Sequence, residues 1–215
     1  SLALVVVAIV LPLRGAIREA GRGLVVGGTL YFALLGLGFM LVEKGLLQRL
    51  SLFLGPPVYS LSIVLFSLIL SAGIGSALSE RIRLGTRAAF MVWAVTIAAY
   101  VATLPWWLPG VLASNQTAEI AARALLCLAV IAPAGLMMGC GFPTGLRLVA
   151  ARDERPTVWF WGINGAAGVL GSVLAIALSI AFGIGTTLIL GALCYLALVP
   201  AVSIIGFTAP ATRTR

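Results

Sequence analysis

The chain has no histidine, so it lacks the commonest metal ligand and the side chain that titrates nearest neutrality. Acidic residues number six, and charged residues make up 9% of the 215 positions. A soluble domain carries about 25%. There are too few polar groups here to cover a water-exposed surface. Cysteine is scarce as well. Cys127, Cys140 and Cys194 all lie in apolar runs, and their spacing matches no metal or redox motif. They read as small buried hydrophobes. No P-loop, no nucleophile elbow and no Gly-x-Gly-x-x-Gly after a strand is present. No catalytic residue, metal ligand or cofactor site is therefore expected.

A starting methionine is also missing. The opening SLALVVVAIVLPLRG has no basic stretch before its apolar run and no small-residue cleavage site, so it is not a signal peptide. It reads as a piece of a longer protein.

Apolar residues fill 61% of the sequence, and the mean hydropathy is +1.16. The expected fold is all-α, a polytopic transmembrane helical bundle of about seven spans in a single membrane domain over residues 1–215. Residues 1–22 hold a truncated first span, Ser1 to Leu13, and a basic connector with Arg14, Arg18 and Arg22. Residues 23–215 form the six-span core. Its second span rises from Gly23 to Glu43, and Leu50 to Gly55 reads as an interfacial turn or re-entrant piece. The third runs Val58–Ser79. The fourth runs Ala88–Leu104 and ends at Pro105 with the paired anchors Trp106 and Trp107. The fifth runs Ala121–Cys140 and breaks at Gly139-Cys140-Gly141-Phe142-Pro143 before a short helix. The sixth runs Thr157–Phe182 and the seventh Ile184–Phe207.

Net charge is +8, yet no basic stripe with interleaved aromatics suggests nucleic acid. The basic residues sit at span ends. Seven spans put Arg14, Arg18, Arg22, Arg81, Arg83, Arg87, Arg147, Arg152, Arg155, Arg213 and Arg215 on one side, and Lys44, Arg49 and Arg123 on the other. The positive-inside rule makes the first side cytoplasmic, with the N-terminus outside. Each half also carries a proline opening a span, Pro57 and Pro156, and a Gly-Ser pair, Gly75-Ser76 and Gly171-Ser172. Spans two to four and five to seven can thus be read as inverted three-helix repeats.

The polar exceptions carry the functional question. Glu43, Lys44, Gln48 and Arg49 interrupt the apolar stretch Tyr31–Pro57. A charge at membrane depth costs at least ~2.5–3.5 kcal/mol without a partner or access to the interface. If the span begins near Gly23, Glu43 lies about 30 Å along it, at the outer boundary. Two readings stay open: charges that snorkel to the interface, or a buried polar cluster facing other helices. Asn164 joins this candidate set as a residue that bonds across helices. Gly36, Gly38, Gly73, Gly75, Gly165 and Gly168 are expected to let helices approach closely. The break around Gly139 either lines a site or simply ends a helix.

Three blocks carry a resemblance: LLGLGFMLVEKGLLQRLSLFLGPPVYSLSIVLFSLILSAGIGSALS, GLMMGCGFPTGLRLV and WFWGINGAAGVLGSVLAIALSIAFG. Between about Tyr31 and Leu198 the chain resembles the membrane region of bacterial spermidine synthase-like membrane proteins, in which a multi-span region is joined to an aminopropyltransferase-type domain. It departs from that family at Lys44-Gly45 and at Gly55-Pro56-Pro57, where the family often has Gly-His-Pro. The nucleotide-binding glycines and acidic polyamine-binding residues of that domain have no counterpart positions here, so no catalytic residue is carried over. The resemblance implies a non-catalytic integral membrane domain acting as anchor, regulatory module or subunit of a larger complex. The alternatives are a transporter of a polyamine or other small solute, and the membrane part of an aminopropyltransferase. Expected partners are the lipid bilayer and other membrane subunits or a soluble domain, in the bacterial inner membrane.

Overall fold

A computed structural model describes residues 21–206 except positions 56 and 83. Six helices follow one another: α1 Arg22–Leu54, α2 Pro57–Leu78, α3 Arg87–Ser114, α4 Ile120–Ala150, α5 Thr157–Phe182 and α6 Ile184–Ile205. Each is long and apolar enough to cross a membrane. The expectation of seven spans is thereby corrected to six among the described residues. The first expected run, residues 1–13, lies outside them.

Three boundaries also differ from the sequence reading. The supposed turn at Leu50–Gly55 is the last part of α1, a helix of 33 residues and about 50 Å. Leu46, Leu50, Phe53 and Leu54 are buried, so the packing stripe runs past the charges and keeps the helix going. In α3 the helix passes Pro105 and Pro109 and ends at Ser114. Buried Leu104, Leu108 and Leu112 recur every four residues and hold it across the prolines. α4 is likewise continuous through Pro133 and Pro143, so there is no break at Gly139. Where a helix lies among other helices, neighbours can satisfy the backbone that proline frees. Side chains of other helices bond the α4 backbone near these prolines, though not at the Ala129 and Gly139 carbonyls that Pro133 and Pro143 free: Tyr100 Oη donates to Val130 O (2.7 Å), Trp93 Nε1 to Met137 O (3.0 Å) and Tyr31 Oη to Gly141 O (2.7 Å).

α1 is the hub. It packs along α6 and α5 and also meets α4 and α2, while α2 packs on α4 and α3 on α6. Half of α1's most apolar window is buried, against 22% of that of α5, which marks α5 as a peripheral helix. α5 and α6 are joined by Gly183 alone, at φ 86° and ψ 158°. That region of backbone space belongs almost entirely to glycine.

Glycines make the crossings. A Cβ on Gly75 would strike the Leu136 backbone, one on Gly139 the Ala72 backbone, and one on Gly135 Ser71. These residues join α2 to α4. On another face of α4, Gly141 and Gly145 lie against Leu35 and Tyr31 of α1. Gly36 and Gly171 serve the α1–α5 crossing, facing Asn164 O and the Leu37 backbone. Gly38 admits Cys194 and Tyr195 of α6. Around these crossings Phe32 stacks on Phe160 (5.4 Å between centroids) and Tyr31 meets Phe32 edge-on (5.2 Å).

Candidate functional site

The charges on α1 can now be placed by their neighbours. Gly45 lies against Leu188, four residues below the Ile184 end of α6. At 1.5 Å per residue Glu43 therefore sits about 9 Å below that end, and Arg49 lies level with it. Pro105 contacts Gly185 at the same height, so Trp106 and Trp107 stand level with the α5–α6 turn. Trp106 is exposed. The helix does not end at the paired tryptophans but carries on to Ser114.

Glu43 is buried, and its Oε1 accepts from Lys44 Nζ at 2.9 Å. This pair links adjacent residues, which helical spacing does not favour. The long lysine stem turns back to make it. Arg49 does not share the carboxylate: its Nε and the Oε1 of Gln48 are buried without a hydrogen-bond partner. Glu43, Lys44, Gln48 and Arg49 are therefore one ion pair and two separate polar groups, not a single network.

Asn164 is brought to α1 as well, but further in. Its backbone oxygen closes on Gly36, and its Oδ1, also unpartnered, lies 3.2 Å from where a Gly36 Cβ would be. Between Asn164 and Lys44 runs a groove of about 580 Å³. Leu35, Gly36, Phe39, Met40 and Lys44 of α1 form its floor. Met138, Gly139 and Phe142 of α4 form one wall, and Asn164, Gly165, Gly168, Val169 and Ser172 of α5 form the other. From Gly36 to Lys44 it is about 12 Å long. α4 and α5 barely touch each other, so the groove opens sideways between them. Phe142 and Trp161 close that gap near the Asn164 end, ring edge to ring face at 4.7 Å.

The candidate glycines divide. Gly36, Gly38 and Gly75 stand at crossings. Gly168 has ordinary contact with Met40 at 3.8 Å and also lines the groove. Gly165 lines the groove with nothing within 4 Å of a Cβ, and Gly73 faces open space. Among the described residues these last two have no helix within contact of a Cβ.

Sequence reasoning missed two arginines. Arg123, one turn into α4, donates to Phe53 O at 2.9 Å and lies 5.8 Å from the Phe53 ring centroid. Arg147, near the other end of α4, donates to Ser79 O at 3.0 Å, to Ser79 Oγ and to Thr144 Oγ1. Each arginine occupies carbonyls left unpaired at the C-terminal end of a neighbouring helix, where positive charge is also favoured. One sequence offers no signal for this beyond the two charges themselves.

Among the described residues no three histidine, cysteine, aspartate or glutamate side chains gather as a metal site. Cys140 Sγ is engaged with Gly75 O (3.2 Å) and Leu136 O (3.3 Å). Compared with family models, curated proteins and solved structures, the chain matches none.

Proposed function

We propose that the chain is a non-catalytic integral membrane domain that anchors or regulates a partner, either a soluble domain or another membrane subunit. The carrying observation is how its polar side chains are used. Arg123, Arg147, Tyr31, Trp93 and Tyr100 all bond the backbone of a neighbouring helix. Such groups hold helices in fixed relation, which suits a platform better than a reacting centre. The resemblance to spermidine synthase-like membrane proteins makes an aminopropyltransferase-type domain the expected partner, with this chain its membrane part.

Orientation follows from charge. Arg22, Arg81, Arg87, Arg147, Arg152 and Arg155 lie at one end of the bundle, and Arg49 and Arg123 at the other. The positive-inside rule assigns the first end to the cytoplasm of a bacterial inner membrane.

Transport of a small solute is the second reading, and the helix crossings favour it. α5 crosses α1 and α2 crosses α4 on glycines, and each pair runs parallel. Inverted repeats of α1–α3 and α4–α6 would relate these two crossings. A polyamine is less suited to the groove than a neutral or anionic solute, because Lys44 rather than Glu43 lines it.

Purification of the tagged protein from its own cells at native abundance tests the first reading. A soluble aminopropyltransferase-type protein or a membrane subunit should co-purify in fixed ratio. A chain that purifies alone contradicts it.

A further inference from the structure

We infer that the groove between α4 and α5 holds one anionic phospholipid of the surrounding bilayer, with its headgroup on Lys44 and an acyl chain running inward over Gly165 and Gly168. This gives a ligand to the domain proposed above and rests on its being a membrane domain, not on which partner it anchors. Four observations combine.

The groove is a built cavity. Its volume, about 580 Å³, falls within the range of ligand sites. Its lining is mostly apolar side chains and glycine; of the polar members, the Ser172 hydroxyl is spent on Val169 O (2.8 Å) and Asn164 Oδ1 lies against Gly36, which leaves Lys44.

Its opening is lateral. Among the described residues nothing covers the gap between α4 and α5, and Val169 beside it is 70% exposed. A guest enters from the side, and what lies beside a membrane helix is lipid. The Phe142–Trp161 contact closes the inner part of the gap, so the chain is admitted from the Lys44 end.

Charge selects the head. Among the described residues lining the groove, Lys44 alone is ionisable. Its ammonium has three donors and gives one to Glu43, leaving two. Arg49, five residues on, brings the local charge of Glu43, Lys44 and Arg49 to +1, from one negative and two positive groups. A phosphate accepts charge-assisted hydrogen bonds from such a site.

Depth agrees. Lys44 lies roughly 8 Å below the level of the α5–α6 turn and the Trp106–Trp107 pair, within reach of a headgroup by snorkelling. The chain below it follows α1 for about 12 Å.

Native mass spectrometry tests the inference. The full chain is reconstituted in vesicles of equimolar phosphatidylglycerol and phosphatidylcholine, extracted in mild detergent and weighed intact. One phosphatidylglycerol should be retained in preference to phosphatidylcholine by about tenfold, because both offer a phosphate but only phosphatidylcholine adds a cation that the net positive site repels. Gly165→Phe fills the groove at a position with nothing within 4 Å, and should abolish retention. The double variant Glu43→Gln/Lys44→Gln removes both charges together and should retain either lipid equally. Retention undiminished in Gly165→Phe overturns the inference. So does an unchanged preference in the double variant, which remains decisive if Gly165→Phe does not fold. Retention of added palmitate in place of phospholipid overturns the assignment of the source. Lipid retention without any co-purifying partner would leave this inference standing and remove the anchoring role.

Discussion

Arg123 reaches 70 positions back along the chain to bond the carbonyl of Phe53, and so ties the start of α4 to the end of α1. The bond is 2.9 Å long and part-buried, with the guanidinium beside the Phe53 ring. Arg123→Met keeps the stem and removes the donors. It should cost on the order of 1.5–3 kcal/mol, the worth of a hydrogen bond from a charged group. Unfolding in mixed micelles measures this. Arg123→Lys should recover only part of the loss, because a point charge does not reproduce the planar fork.

Arg147 and Ser79 make the corresponding joint at the opposite end of α4. A double-mutant cycle of Arg147→Met and Ser79→Ala should give a coupling of roughly 0.5–3 kcal/mol. Additive losses would show that the two side chains act independently. Some coupling will escape the cycle, since one bond goes to the Ser79 backbone.

Gly73 and Gly75 are two residues apart on α2 and differ completely in surroundings. A Cβ on Gly75 meets the Leu136 backbone, whereas one on Gly73 meets nothing within 4 Å. Gly75→Ala should destabilise by about 1–3 kcal/mol, as overpacking does. Gly73→Ala should be neutral to within about 0.5 kcal/mol or mildly stabilising. Equal effects at both positions would contradict the α2–α4 crossing.

These glycines show where the sequence was legible. Small residues at helical spacing announce a close approach but do not say to which helix. Gly73 and Gly165 fit the pattern as well as Gly75 and Gly36, yet a Cβ there meets no helix among the described residues. The span limits Thr157–Phe182 were readable in full, because Pro156 and the glycine-bounded Phe182 frame a run whose one strongly polar interruption is Asn164. Pro105, Pro109 and Pro143 misled, since their local breaking tendency is overridden by buried packing on either side of each proline. The Glu43–Lys44 pair was hidden because neighbours on a helix do not face each other. The groove joins residues from three helices, and no single stretch of sequence contains it.

Gly183 makes the α5–α6 reversal with φ 86° and ψ 158°. Gly183→Ala should cost about 1–3 kcal/mol through backbone strain alone, as nothing lies within 4 Å of its Cβ. The same substitution at Gly185, where φ is ordinary, should cost far less.

In the α4–α5 connector, Asp153 accepts from the Arg155 side chain and from its backbone N–H, each at 3.0 Å. The side-chain bond comes first in holding its carboxyl below the usual carboxylate range, and the backbone bond adds to it. A depressed folded value means the contribution is complete above the unfolded value of about 3.9 and is lost as pH falls through the folded one. The connector should therefore be unchanged between pH 7 and pH 5. An NMR titration of the Asp153 carboxyl carbon should give a midpoint below 3.9, and Arg155→Gln should raise it.

The central claim is that α1 and its neighbours form a fixed membrane platform and not a solute pathway. Uptake of radiolabelled spermidine and of a labelled anionic solute into proteoliposomes tests it most directly. The account predicts flux equal to that of protein-free vesicles, unchanged by Glu43→Gln. Flux well above that background, abolished by Glu43→Gln, would contradict it.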